Sequence, residues 1–297
     1  MLYGPSQIIN PLAPRRLFGY GTGPSSGSSY VGALDNYTTN LAGAFSSVRR
    51  LLSSYTGPAI NVRRSGGSMD ALDIGFVNGV LDTATLTAFC IAGGGTQHGY
   101  ITKTYDQSGN GRHVAQTTAA NQPQIVSGGA VINLNSLPTM DFDGVNDRLA
   151  ITGLSLGHDF SVYSVFQLEA NGTFPMIVGL RDGFTEIVGN NMAGTGVWQK
   201  GGSAVNGATL LTGTTFQNTW MHSAATNEQA FLNGSSQGTA AATSAAVTSI
   251  DTFAFGARLA SAIPANMKLS ECIIYTTRHD STTQAAIENN QKTLFGL

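Results

Sequence analysis

Apolar and polar positions alternate in short runs along most of the chain, and Gly, Asn, Asp, Ser and Thr punctuate the runs. That pattern predicts β-strands joined by tight turns. In residues 100–116, Ile101, Lys103 and Tyr105 fall on one side of a period-2 ladder. The following Asp106-Gln107-Ser108-Gly109-Asn110-Gly111 supplies residues that tolerate left-handed backbone, so a hairpin is expected here. Further strands are expected at 60–62, 160–168, 176–180, 184–188, 196–200, 219–224, 253–257 and 268–275. Trp220-Met221-His222 and Phe231-Leu232 should pair centrally, with Asn233-Gly234 as a type I′ turn.

Three segments carry helical spacing instead. Leu41, Phe45, Val48, Leu52 and Tyr55 recur every three to four residues between a polar NYTTN start and a Gly57-Pro58 stop, which predicts an amphipathic helix at about 39–55. Arg49 and Arg50 lie off its stripe, on a solvated face. Asp82-Thr83 opens a short helix, and residues 282–295 form a closing helix presenting Ala286, Ile287 and Leu294. No period of 20 to 50 residues repeats, which excludes a solenoid or propeller.

Residues 1–34 differ in texture: Pro5, Pro11, Pro14 and Pro24 break regular structure and residues 19–32 are rich in Gly, Ser and Thr. Such a segment cannot bury enough surface to fold alone. Its apolar pegs Ile8, Ile9, Leu12, Leu17, Phe18 and Tyr20, with Arg15 and Arg16 between them, suit an extended arm laid along a partner. The domain division is therefore an N-terminal anchoring arm at 1–34 and a β-sandwich domain at 35–297.

Composition narrows the function classes. Lys plus Arg (15) nearly balances Asp plus Glu (17), so there is no electrostatic footprint for nucleic acid or an acidic membrane. Cys90 and Cys272 sit in apolar runs without metal-ligand spacing, as buried free thiols do. No apolar run is long enough to span a bilayer, and the N-terminus lacks the order of a signal peptide. The five histidines show no HExxH or other short metal spacing, and no nucleophile elbow or phosphate loop is present. Asp141, Asp143, Asn146 and Asp147 have oxygen ligands in close spacing, but a bidentate Glu is missing and a β-turn selects the same residues. No metal and no cofactor are expected.

The segment YDQSGNGRH at 105–113 resembles the YDQSGNG segment of the family-54 α-L-arabinofuranosidase catalytic domain, and the resemblance extends from about Asp35 to the C-terminus. Domains similar to it, with segments like YTGPAINVRRS and NQPQIV, occur in tailed-phage virion proteins. The residues 138–149 resemble the strand entry of laminin-G-like and concanavalin A-like sandwiches. These likenesses imply an all-β fold: a two-sheet antiparallel jelly-roll sandwich of the concanavalin A-like type, with a few short helices.

The resemblance also locates the chemistry. A retaining glycosidase needs two carboxyl groups about 5 Å apart. The family's nucleophile segment, D-M-E-N-N, is matched by Ile187-Val188-Gly189-Asn190-Asn191, with Gly189 in the carboxylate's place, and the family's acid/base position falls on Leu259. The family's cysteine pair also lacks a counterpart beside Cys90. Glu186, with Asp182, Asp251 or Glu271, offers displaced carboxylates. Sugar contact through ring faces and amides falls to Tyr105, Trp198, Asn190, Asn191 and Gln199.

Two functions are thus set against each other. The first expectation is a non-enzymatic structural protein of a tailed-phage virion, made in the host cytoplasm: a capsid decoration, head fibre or tail adhesin. It would bind other virion proteins through its arm, assemble as a homo-oligomer such as a trimer, and take host surface glycans as partners. The alternative is a glycoside hydrolase, α-L-arabinofuranosidase-like or a depolymerase.

Overall fold

The computed structural model describes residues 30–65, 70–92, 95–152, 154, 159–170, 178–182, 185–189, 195–200, 203–223, 227–241, 252–258 and 263–297. Eighteen strands carry the architecture. In chain order they are β1 Leu41–Ser46, β2 Ile60–Arg64, β3 Ala71–Ile74, β4 Gly99–Thr104, β5 Val114–Ala115, β6 Gln124–Ser127, β7 Met140–Asp143, β8 Leu149–Thr152 and β9 Phe160–Leu168. They continue with β10 Val178–Asp182, β11 Thr185–Gly189, β12 Thr195–Lys200, β13 Ser203–Thr209, β14 Thr215–His222, β15 Asn227–Leu232, β16 Ser235–Ala241, β17 Thr252–Phe255 and β18 Asn266–Tyr275. Two helices, α1 Thr83–Ala92 and α2 Ser281–Phe295, accompany them, together with several two-residue strands and a single 3-10 turn at Ala119–Asn121.

The described ladders are antiparallel, and those among these eighteen strands form two facing layers. One layer runs β18–β9–β14–β15–β16, with β1 on the upper half of the free edge of β18 and β7 on the lower half. The other runs β3–β2–β4–β5–β8–β17–β10–β11–β12–β13. Strand β6 joins the layers at one corner, because Gln124 pairs with Tyr100 of β4 and with Asp141 of β7. Between the layers lies a core in which Phe45 packs on Phe253 and Phe255, and Phe160 meets Trp220 edge to face. This is the expected all-β sandwich.

Residues 39–55 do not form a helix. They hold β1, in which all six residues are buried, followed by irregular chain. One face of β1 joins the main core through Ala42 and Phe45, and the other joins a second cluster with Leu51, Leu52, Tyr163, Tyr275 and Ile287. A strand covered on both faces loses its alternation, and here the leftover spacing imitates a 3.6-residue period. The same double covering buries nearly all of β9.

Helix α2 lies over that outer face. Asp280 caps it by accepting from Thr283 N–H, and Gly296 ends it in the left-handed conformation (φ 69°). Its buried face is more polar than expected: Ile287 and Phe295 are accompanied by Gln284, Glu288 and Gln291. Beneath it Arg49 holds Glu271 through two hydrogen bonds of 2.9 Å, and Gln291 donates to the same carboxylate at 3.1 Å. Arg49 is thus a buried structural cation, not part of a solvated face. The Asn233-Gly234 turn adopts left-handed φ at both residues (50° and 81°), as a type I′ hairpin requires.

Candidate functional site

The loop Tyr105–His113 connects β4 to β5, as expected of a hairpin, yet its polar residues serve β1. That strand is paired with β18 on one edge only, so its other edge would leave backbone groups unsatisfied. Asp106, 1% exposed, accepts from Ala44 N–H at 3.0 Å, and Gln107 N–H donates to the Ala44 carbonyl at 2.8 Å. Asn110 Nδ2 and Arg112 donate to the carbonyls of Leu41 and Ala42. Gln107 reaches further, accepting from Leu51 N–H at 2.6 Å and donating to the Arg49 carbonyl. The loop replaces a missing neighbour strand with side chains. Its motif encodes architecture.

Tyr105 stands at the start of this loop with its hydroxyl donating to Asp73 at 2.8 Å. Burial, then the neighbouring Asp73, pushes its hydroxyl up to about 12. Lys103 lies over its ring at 5.1 Å and His113 meets it edge-on at 4.8 Å. Among the other expected sugar contacts, Trp198 and Gln199 lie in β12 opposite Gly189 and Val188 of β11, so the ladder does bring them to the segment matched with the nucleophile strand. Asn190, Asn191, Asp251 and Leu259 lie outside the described residues, as do the arm residues Ile8, Ile9, Leu12, Arg15, Arg16, Leu17, Phe18 and Tyr20.

The displaced carboxylates are dispersed. Glu271 is fully enclosed against Arg49 and cannot face a substrate. Glu186 and Asp182 occupy different rungs of the β10–β11 ladder, opposite Arg181 and Thr185 respectively.

A different group of acids converges on a cleft of about 630 Å³ at the corner formed by β6, lined by Arg63, Arg64, Tyr100, Gln122, Gln124, Asp141, Asp143 and Asp147. Residues Met140 and Phe142 of β7 point into the core, which leaves Asp141 and Asp143 on the outer side. Asp143 accepts from Val145 and Asn146 N–H, forming the turn, and Asp147 accepts from Asp143 N–H at 3.1 Å. The acidic spacing seen in the sequence therefore builds a β-turn. Asp147 is only 5% exposed. Burial, opposed by the Asp143 amide and reinforced by the charges of Asp143 and Asp141, pushes its carboxyl up to about 7. Asp141 is raised to about 6, first by burial and then by Glu169 beside it, while Lys268 pulls the other way. On the opposite wall Arg63 donates to Gln122 at 2.8 Å and lies 4.6 Å over the ring of Tyr100. This wall was missed in the sequence because its members come from β2, from β4 and from β6 with the loop before it, which lie far apart in the chain.

Residues 35–137 match the family model described as alpha-L-arabinofuranosidase B, catalytic. No curated protein matches the chain by sequence. A GH54 α-L-arabinofuranosidase mutant soaked with 4-nitrophenyl α-L-arabinofuranoside superposes with a TM-score of 0.66 at 17% identity, covering 88% of this chain and 64% of that one. An arabinofuranosidase complexed with arabinofuranosyl-α-1,2-xylobiose gives 0.67 at 15% identity with the same coverage. The chain thus spans 64% of the length of those enzymes. These findings overturn the expectation of a non-enzymatic virion protein, since the family model matched at 35–137 describes an arabinofuranosidase catalytic domain and the fold is shared with GH54 arabinofuranosidases. The chain carries a β-sandwich domain like the catalytic domain of GH54 arabinofuranosidases.

Proposed function

We propose that this domain is a glycoside hydrolase acting on α-L-arabinofuranosyl or related glycans. The observation that carries the reading is the arabinofuranosidase family match at 35–137, set within a sandwich of the same fold over 88% of the chain. The resemblance read from the sequence sets Gly189 and Leu259 at the family's carboxylate positions, so the reading draws its carboxyl groups from elsewhere in the chain. Asp147 meets the first requirement of a general acid, because burial keeps its proton bound near neutral pH in a solvent-reached cleft. Asp141 and Asp143 line the same cleft and are the candidate partners of Asp147. Their separation from Asp147 once substrate is bound would decide between retention and inversion.

The test is release of 4-nitrophenol from its α-L-arabinofuranoside and of reducing sugar from arabinan and arabinoxylan by the purified chain. Activity abolished by Asp147→Asn but not by Glu186→Gln is the expected result. No release from any of these substrates would refute the reading.

A further inference from the structure

The cleft is the middle of a longer feature. Strand register places Arg63 opposite Tyr100, Tyr100 opposite Gln124, Gln124 opposite Asp141, Asp141 opposite Lys268, and Lys268 opposite Gln167. Directly paired residues share one face of a sheet, so these six side chains form a single row across β2, β4, β6, β7, β18 and β9. Each of the six is half-buried, whereas Val62, Ile101, Ile125, Met140, Met267 and Phe166 beside them are in the core. Six strands at about 4.8 Å spacing make the row about 24 Å long measured along the sheet, which turns at β6.

We propose that this row is a binding track for an extended, uncharged polysaccharide chain lying across the strands, a reading that deepens the glycan function proposed above and rests on it. The row presents a cation, a phenol, an amide, a carboxyl, a second cation and a second amide in succession, with Lys268 already neutralised by Glu169. Sugar hydroxyls both donate and accept, so they can satisfy such an alternating series, whereas a polyanion would meet Asp141, Asp143 and Asp147. Arg63 and these three acids line one cleft, yet no ion pair joins Arg63 to any of them. A polyhydroxylated ligand would bridge that gap. A metal ion would not: Asp143 is engaged by the turn amides, and no cluster of three His, Cys, Asp or Glu suited to a metal occurs among the described residues.

The experiment is calorimetric titration of the full chain with arabinan- and arabinoxylan-derived oligosaccharides of increasing length. Affinity should rise with length. Arg63→Ala should weaken every ligand about tenfold, the effect of losing one charged hydrogen bond. Gln167→Ala, at the far end, should weaken only the longest. Amide exchange in β4, β6 and β7 should slow when the long ligand is bound, and Arg63→Lys serves if the alanine variant fails to fold. Affinity independent of length, indifferent to both variants, or absent throughout would overturn the track. If sugar release then persisted, the hydrolase reading would stand without it. Row-dependent binding with no hydrolysis would retain the track and remove the hydrolase.

Discussion

Replacing Asp106 by Ala tests whether the YDQSGNG segment is an architectural clamp. The Asp106 carboxylate accepts four hydrogen bonds, from Ala44 N–H (3.0 Å), Ser108 N–H (2.9 Å), Ser108 Oγ (2.8 Å) and Arg112 N–H (3.1 Å). Ala44 is fully buried, so its N–H would lose its only acceptor with no water to replace it, at a cost of about 2 kcal/mol. The Ser108 and Arg112 amides are half-buried and can partly rehydrate, adding about 0.5–1 kcal/mol each. The sum is about 3 kcal/mol, a large part of the roughly 5–15 kcal/mol that holds a domain together. Urea unfolding followed by tryptophan fluorescence should show the midpoint falling by about 1 M, taking a slope of about 3 kcal/mol per molar for a domain this large. Asp106→Asn keeps one acceptor oxygen but turns an amide donor towards Arg112 N–H, so about half that loss is expected. A loss below about 1 kcal/mol for the alanine variant, at unchanged slope, would show that the loop does not hold the edge of β1.

Gly256→Ala should be severely destabilising, by about 3 kcal/mol in calorimetry, because φ is 79° and a Cβ would sit 2.2 Å from the ring of Phe142 in the core. Glu271→Ala should cost about 3–5 kcal/mol in the same measurement by stranding the Arg49 guanidinium, whereas the double change Arg49→Met with Glu271→Leu should recover most of it; equal losses in the two would count against the ion pair as the cause. Asp147 titrates near 7 in the fold against an ordinary 3.8, so its contribution to stability is complete below about pH 4 and disappears as pH rises through 7. His279 acts with the opposite sign, since burial lowers it from 6.5 to about 4 and stability is lost on acidification through that range. The readout is therefore the difference between Asp147→Asn and the parent: the variant should gain relative stability from pH 4 to pH 8, and a flat difference would refute the assignment.

What the sequence disclosed follows from which interactions are local. Strand β9 was legible to the residue because its apolar and small positions, broken only by Gln167, run between turn residues. The Asn233-Gly234 hairpin was legible because the turn type selects those two residues. The closing helix expected at 282–295 was legible almost to its observed bounds, Ser281–Phe295. Residues 41–46 were not, because burial on both faces erased the alternation that marks a strand; the one local warning was Gly43, where a Cβ would lie 2.8 Å from the Phe45 ring.

The candidate site was hidden for a related reason. Neighbours in the row Arg63, Tyr100, Gln124, Asp141, Lys268 and Gln167 are separated by as many as 127 positions, between Asp141 and Lys268, and each alone is an ordinary outward residue of its strand. Only the register through β6 makes them one row, and that register depends on β1 vacating the lower half of the β18 edge for β7. The clamp loop keeps β1 on the upper half. A motif that takes no part in binding thereby sets where the polar row can form. On this argument Asp106→Ala should also weaken oligosaccharide binding at temperatures where the fold survives, although Asp106 does not line the cleft; unchanged affinity in the folded variant would uncouple the two.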